Sequence, residues 1–234
     1  MERVTGIRES IVPICSGYNN RMAAETEKDR RIAELAAEAS DCTACPLHEH
    51  RTNVVFGVGN PNSPLVIVGE GPGENEDKQG EPFVGRAGWL LDECLQECGM
   101  LRKHVYITNV VRCRPTTIEA GRVKNRAPYA DEANTCIRLW LEPTLSTIEP
   151  LVILCLGAPA ANAIIKKGFK MTQERGKFFD TPYARYAIAA LHPAYVLRQQ
   201  GEAYDSARAL LVQDIEAARR KVIEAKKEPP KTLF

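Results

Sequence analysis

Four short apolar runs along the chain have the composition of buried β-strands. They are dense in β-branched residues and do not alternate strictly between apolar and polar positions, which is typical of strands covered on both faces. These runs lie at residues 64–69 (PLVIVG), 104–111 (HVYITNVV), 150–157 (PLVILCLG) and 185–191 (RYAIAAL). The pattern predicts four strands in the centre of one sheet.

Segments with a helical spacing of apolar residues separate and flank these strands. They cover residues 21–40, 87–98, 130–148, 158–167 and 203–227. Strands that alternate with helices indicate a mainly parallel sheet between two helix layers. We therefore predict an α/β protein, a single three-layer α/β/α sandwich with a central four-stranded, mainly parallel sheet over residues 21–228. Residues 1–20 have no clear period and are predicted to form an irregular N-terminal extension.

The composition is that of a soluble globular protein and gives little sign of a nucleic-acid partner. Hydrophobic residues make up 44% of the chain, charged residues 26%, and the formal net charge is +1, whereas nucleic-acid-binding domains are usually basic. Basic residues are dense only at residues 112–126, where they could form a solvated loop or contact phosphates. No apolar run is long enough for a membrane span, and the N-terminus lacks the apolar centre of a secretory signal. We therefore expect a cytoplasmic protein with no membrane partner.

The cysteines favour metal or redox chemistry, because the chain contains eight of them and has no export signal. Cys42 and Cys45 form a Cys-x2-Cys pair, and Cys113 and Cys136 follow later. Four thiolates suit a tetrahedral zinc ion or a [4Fe–4S] cluster, while the pair alone could be a redox centre. Spacing does not decide among these. The cysteines of apolar segments are expected to be buried and inert: Cys94, Cys98 and Cys155.

Glycine and polar residues follow three of the predicted strands, at the edge where open α/β sheets bind ligands. Residues 69–77 (GEGPGENED) allow a sharp turn or a close approach to a ligand, and their acidic groups disfavour phosphate. Asn109 lies in an apolar strand, and a buried amide without partners costs roughly 1–3 kcal/mol, so it must bond either to backbone or to a ligand. His192 is either a surface histidine or part of a site at this edge. Phe83 is either a core residue or a ring that stacks on a base.

Taken together, these segments resemble a known family. The motifs GEGPGENED, GEPFVGRAG, ITNVVRCRP, NRAP and LHPAYVLR occur in this order, interleaved with the cysteines, between residues 42 and 198. The ordered set is similar to the family 4 uracil-DNA glycosylases, the iron–sulfur branch of the uracil-DNA glycosylase superfamily. The resemblance implies an enzyme of base excision repair that flips uracil out of DNA and hydrolyses its N-glycosidic bond, leaving an abasic site. It also implies a [4Fe–4S] cluster held by Cys42, Cys45, Cys113 and Cys136.

The resemblance further implies a role for particular residues. The uracil pocket would be formed by Gly69, Gly71, Glu76, Phe83, Asn109 and His192, with the Phe83 ring stacked on the flipped base. Catalysis would depend on Glu70, Asn109 and His192. Contacts to DNA would come from Arg86, Arg114, Arg126, Tyr195, Val196, Leu197 and Arg198.

The chemistry of the reaction agrees with these roles. Cleavage leaves negative charge on uracil, so a neutral His192 that donates to a uracil carbonyl oxygen would stabilise the developing anion. The Asn109 amide pairs with O4 and N3–H of uracil and badly with the N4 amino group of cytosine, which gives base discrimination. The residues after His192 would form a wedge into the duplex.

Two positions depart from related families. Gly71 stands where family 1 enzymes carry an aspartate, so the general base is open and Glu70 is its candidate. Residues 116–124 form a longer segment than is usual in family 4 and contain no histidine, whereas a related branch forms a covalent adduct with DNA through a histidine in this region. We therefore expect turnover. A monomer is expected because it is the default for enzymes that slide on DNA. The alternatives are a uracil-DNA binding or covalently trapping protein with little turnover, and a metal-stapled structural protein with a vestigial pocket.

Overall fold

A six-stranded sheet flanked by helices forms the centre of the computed structural model, which describes residues 25–229. In chain order the strands are β1 (Val58–Gly59), β2 (Leu65–Gly69), β3 (Tyr106–Asn109), β4 (Thr116–Glu119), β5 (Arg122–Asn125), β6 (Val152–Leu156), β7 (Phe178–Thr181) and β8 (Ala184–Ala190). The helices are α1 (Glu27–Ser40), α2 (Glu74–Gln79), α3 (Arg86–Glu97), α4 (Ala130–Cys136), α5 (Glu142–Ile148), α6 (Ala158–Ile164), α7 (Met171–Glu174), α8 (Pro193–Val196) and α9 (Glu202–Ala225).

The order of the strands is β1-β3-β2-β6-β8-β7, and the four predicted strands form its parallel centre. The prediction of a mainly parallel sheet is confirmed, but the sheet has six strands rather than four. The two additional strands, β1 and β7, pair antiparallel at the edges. They lacked a sequence signal because β1 is only two residues long and β7 is largely exposed.

Successive residues of the central strands point to opposite faces and build a separate core on each side of the sheet. On one face, Val66 and Ile153 pack beneath α1, α5 and α6. On the other face, Ile67 and Leu154 pack beneath α3, α8 and α9. All four side chains are fully buried. The predicted three-layer α/β/α arrangement is therefore present.

Two predicted helices differ in detail from the structure. The helix predicted over 130–148 consists of α4, a π-helical turn (Ile137–Leu141) and α5, which carries Pro143 in its first turn where a missing N–H is tolerated. The first helix begins at Glu27 because Thr26 caps it: the Thr26 hydroxyl accepts from Asp29 N at 3.1 Å, and the Asp29 carboxylate accepts from Thr26 N at 2.9 Å. The predicted start of this helix and the extension at residues 1–20 lie outside the described residues.

None of the helices formed by residues 25–229 combines the length and apolar character needed to cross a membrane.

Candidate active site

The carboxyl ends of three central strands bring Glu70, Asn109 and His192 to one edge of the sheet. Gly69, the last residue of β2, pairs in register with Asn109, the last residue of β3. His192 follows β8, which is separated from β2 in the sheet by β6. These side chains open into a cavity of about 220 Å³, which is also lined by Gly71, Glu76 and Phe83. The residues predicted to form the pocket are thus brought together.

The floor of the cavity depends on close packing between Gly69 and Phe83. A Cβ on Gly69 would lie 2.6 Å from Cζ of Phe83, so the ring fits only against bare backbone. Phe83 adopts a left-handed conformation (φ 55°), which is uncommon for a bulky residue. Its carbonyl oxygen accepts from Arg102 Nη1 at 3.0 Å. The ring lies 5.8 Å from the His192 ring, with 29° between their planes.

Asn109 presents an unpaired acceptor to the cavity. The residue is only 2% exposed, and its Oδ1 has no hydrogen-bond partner among the described residues. Its backbone is held in place, because its carbonyl oxygen accepts from Arg112 Nη1. An unsatisfied buried oxygen costs about 1–3 kcal/mol, which a bound ligand with a matching donor would recover.

His192 is fixed as a neutral imidazole with a defined tautomer. Its Nδ1 accepts from Ala194 N at 3.1 Å, so the ring proton of the neutral form resides on Nε2. Burial, together with a smaller effect of the charge of Arg198, lowers the pKa of His192 to about 4, while Glu76 acts in the opposite direction. At neutral pH the ring can therefore donate one hydrogen bond from Nε2.

The two glutamates of the glycine-rich segment have different environments. The carboxylate of Glu76 accepts from Gly73 N at 3.1 Å and from Val84 N and Gly85 N at 3.0 Å each, so it joins the two loops that form the pocket wall. Glu70 is half-buried, and burial raises the pKa of its carboxyl group. Glu70 is therefore the carboxylate left free to act on a ligand.

Position 71 has no room for the aspartate of family 1 enzymes. A Cβ on Gly71 would lie 2.7 Å from Cγ2 of Val111, a buried residue that follows β3. A side chain here would require the neighbouring loop to move.

A groove of about 920 Å³ continues from the cavity along α7, α8 and the start of α9. Glu70 and His192 line both the cavity and the groove. Tyr195 and Arg198 line the groove, and both are exposed. The groove therefore offers a path by which an extended ligand could lead into the cavity.

The predicted DNA contacts around α8 divide into exposed and buried residues. Tyr195 is 44% exposed, and Leu197 is half-buried against the core. Val196 was predicted to contact DNA, but its side chain is fully buried in the core beneath α8, and this prediction is wrong for the conformation observed. The segment is helical, so neighbouring side chains point in different directions. Arg86, at the start of α3, is exposed.

The two arginines predicted to hold phosphates near residue 120 are engaged within the protein. Arg126 donates from both terminal nitrogens to the buried Glu132, at 2.6 and 2.7 Å, and its Nε donates to Thr116 O. Arg114 Nε donates to Asn125 Oδ1 at 2.7 Å. Since these donors are already used, a role of Arg126 in phosphate binding does not fit the structure.

Sequence reasoning missed the residues that complete the cavity on this side. Residues 116–124 were expected to form a loop, but they form the hairpin β4–β5, and the flanking Pro115 and Asn125 line the cavity. The signal was present: apolar and polar residues alternate on both sides of Ala120 and Gly121, which have φ values of 50° and 74°, typical of a two-residue hairpin turn.

The four cysteines predicted to bind a cluster line a second, small cavity of about 20 Å³. Cys42 follows α1, Cys45 precedes a 3-10 turn (Pro46–Glu49), Cys113 lies in the segment after β3, and Cys136 ends α4. Within residues 25–229, no group of three or more His, Cys, Asp or Glu side chains has the geometry of a site for one metal ion. The four thiols nevertheless share one cavity.

N–H donors and burial define the environment of the cysteine thiols around this cavity. Trp140 Nε1 donates to Cys42 Sγ at 3.3 Å, Arg51 Nη1 to Cys113 Sγ at 3.5 Å and Arg112 N to Cys136 Sγ at 3.3 Å. Burial raises the pKa of Cys136 to about 11 and also raises the pKa values of Cys45 and Cys113. The N–H donors favour negative sulfur, whereas burial disfavours it, an environment that would suit thiolate ligands of a positively charged metal group.

The other cysteines of the described part of the chain lie in the core, as expected. Burial raises the pKa of Cys94 and Cys98 to about 11 and raises that of Cys155 as well. Thiols of this kind are inert.

Comparison with known proteins identifies the class to which this fold and pocket belong. Residues 56–216 match the Uracil DNA glycosylase superfamily. The type-4 uracil-DNA glycosylase of Thermotoga maritima is 43% identical over 190 residues, which cover 80% of this chain and 93% of the relative. That of Archaeoglobus fulgidus is 40% identical over 186 residues, which cover 75% of this chain and 88% of the relative. The chain therefore belongs to the type-4 uracil-DNA glycosylases.

Proposed function

We propose that this protein is a monofunctional uracil-DNA glycosylase, which binds uracil flipped out of DNA and hydrolyses its N-glycosidic bond to leave an abasic site. The observation that carries this proposal is the unpaired, buried Oδ1 of Asn109 at the end of a cavity that also contains the Nε2–H of His192. A pyrimidine ring with one donor and one acceptor on its edge satisfies both groups.

Base recognition would depend on Asn109 and Phe83. The Oδ1 of Asn109 would accept from N3–H of uracil, and its amide nitrogen would donate to O4. Cytosine presents an amino group and an unprotonated N3 at these positions, so both contacts would be lost in a buried site. The Phe83 ring, held over bare backbone at Gly69, would stack on the flat face of the base.

Bond cleavage would depend on His192 and Glu70. As the glycosidic bond breaks, its electrons move onto the uracil ring, and Nε2–H of His192 would donate to the carbonyl oxygen where negative charge develops. The half-buried carboxylate of Glu70 would stabilise the cationic sugar or take a proton from the attacking water. Because the pKa of Glu70 is raised by burial, its carboxylate is a better proton acceptor than an exposed one.

The four cysteines around the second cavity would hold a [4Fe–4S] cluster. A cluster spreads its thiolate ligands around several irons, which fits a set of four thiols that lacks the geometry of a single-ion site. When bound, the group supplies a covalent link among chain segments that are distant in sequence.

The partner would be uracil-containing DNA, bound by a monomer. The protein would act in the cytoplasm, where reducing conditions keep the cysteines available as ligands.

The proposal is tested with the purified protein and an end-labelled oligonucleotide that contains one uracil. We expect strand cleavage at the uracil only after alkali treatment, with many turnovers per protein molecule. Asn109→Ala and His192→Ala should each reduce the rate by about a hundredfold or more, because each removes a contact to the developing anion or to the base. The exposed Asn134 offers a matched control, and Asn134→Ala should leave the rate unchanged.

Two results would contradict the proposal. A band that resists denaturation would indicate a covalently trapping protein, and retention of uracil in the DNA would indicate a binding protein. Equal activity of the wild type and both pocket variants would refute the assignment of this cavity as the site.

A further inference from the structure

The hairpin β4–β5 carries two large apolar side chains that remain in solvent. Ile118 is 68% exposed and Val123 is 58% exposed. They are direct partners across the two strands, so their side chains lie side by side on one face of the hairpin. Because neither side chain packs into the core, the pair does not contribute to the stability of the fold by burial.

One residue on the apolar face of the hairpin lines the active-site cavity. Side chains alternate along a strand, so Asn125 lies on the same face as Val123. Asn125 lines the cavity, and its Nδ2 lies close to Gly73, another residue of the cavity wall. The Ile118–Val123 pair therefore lies on the same face of the hairpin as a residue of the cavity wall, nearer the hairpin turn.

The base of the hairpin is held firmly, whereas its tip is free of the core. Arg126 N donates to Pro115 O at 3.1 Å, and the paired guanidinium of Arg126 fixes the strand end to the buried Glu132. Arg114 clamps Asn125. Because its base is fixed, the hairpin can contact a ligand without unfolding locally.

The opposite face of the hairpin is polar, and its charges suit an anionic partner. Lys124 Nζ pairs with Glu119 Oε2 at 2.7 Å. Arg122 is exposed and forms no ion pair among residues 25–229. Arg122 is the cross-strand partner of Glu119 and lies on the face opposite Ile118 and Val123. The narrow ribbon therefore carries an exposed guanidinium on one face and an apolar pair on the other. Proteins combine apolar side chains that separate stacked bases with cations that hold a nearby phosphate.

We infer that the Ile118–Val123 pair contacts the bases next to the extruded nucleotide and helps to hold duplex DNA open, with Arg122 near the flanking phosphate. This inference rests on the proposed function, because it takes the cavity beside the hairpin to be the uracil pocket. Extrusion from a duplex must overcome pairing and stacking, whereas a uracil in a single strand is already free. The hairpin should therefore matter for duplex DNA and little for single-stranded DNA.

The test compares the double variant Ile118→Ser/Val123→Ser with the wild type on one uracil oligonucleotide, used single-stranded and as a duplex. We expect kcat/KM on the duplex to fall by about tenfold, the order of a lost stacking contact, and that on the single strand to fall by less than about twofold. Both side chains are exposed, so the unfolding temperature should not change. Ile223, 46% exposed on α9, provides the matched control Ile223→Ser, and Ile118→Leu/Val123→Leu should retain activity.

A second readout does not depend on cleavage. The fluorescence of 2-aminopurine placed next to the uracil in the duplex rises when the base is unstacked, and the double variant should give a smaller rise than the wild type. Equal losses on both DNA forms would show that the hairpin shapes the pocket, and no loss on either would show that it does not contact DNA; both results would overturn the inference. If the wild type releases no uracil, the proposed function fails, and the fluorescence comparison alone decides the role of the hairpin.

Discussion

At the scale of the single residue, the burial of His192 makes the stability of the protein depend on pH. The pKa of this imidazole falls from 6.5 to about 4 because the ring is buried. Between these values the unfolded chain binds a proton at His192 and the folded chain does not. The free energy of unfolding should therefore decrease as the pH falls from 6.5 to 4, by up to about 3 kcal/mol from this residue.

The variant His192→Gln isolates this contribution. It should be less sensitive to acid than the wild type over the same interval, as measured by denaturant unfolding at several pH values between 4 and 7. Parallel curves for the two proteins would mean that His192 is solvated in the folded state. The folded structure would then give no reason for the His192 imidazole to stay neutral below pH 6.5.

The missing side chain at Gly71 gives a second prediction at this scale. Gly71→Asp should destabilise the protein by roughly 1–3 kcal/mol, because its Cβ would lie 2.7 Å from Cγ2 of Val111 and overpack the loop. Thermal unfolding measures the loss, and Gly71→Asp/Val111→Ala should be less destabilised than the sum of its single changes. An unaltered unfolding temperature for Gly71→Asp would show that the loop moves at little cost. Position 71 could then accommodate the aspartate that family 1 enzymes carry.

At the scale of the element, the sequence predicts what is buried and periodic better than what is exposed. The four central strands are continuous apolar runs, and each was located to within two residues at either end. The hairpin β4–β5 was not predicted, because most of its side chains remain in solvent and its basic residues were taken as a loop. Apolar and polar residues do alternate on both sides of Ala120 and Gly121, but over only four residues in each strand, so the density of basic residues dominated the interpretation.

The candidate site shows the same limit. Asn109 and His192 could be placed because strand ends converge at one edge of a parallel sheet. The burial of Val196 and the pairing of Arg126 with Glu132 could not be foreseen. Both depend on which way a side chain turns within a short segment, and charge density alone does not show which cations are already paired.

At the scale of the whole molecule, the four-cysteine cavity joins parts of the chain that are far apart in sequence. Cys42 and Cys45 lie next to α1, Cys136 lies at the end of α4, and Cys113 is close in sequence to Asn109 of the pocket. Arg112 is 1% exposed between the two sites, donating from its backbone to Cys136 Sγ and from its guanidinium to the Asn109 carbonyl oxygen. Loss of the proposed cluster should therefore loosen both α1 and the edge of the pocket.

Cys113→Ala tests whether these segments depend on a bound cluster. The variant should lose the brown colour expected of an iron–sulfur protein and unfold at a temperature lower by roughly 10 °C, since several kcal/mol of linkage would be lost in a chain of this size. The buried Cys155 in β6 is the matched control: Cys155→Ala leaves a small cavity but should keep the colour. A colourless wild type that contains zinc would overturn the cluster assignment, because burial and the three N–H donors to sulfur would then serve a single ion. Equal unfolding temperatures for the wild type and Cys113→Ala would instead show that packing of α1 on α5 holds this face without the metal group.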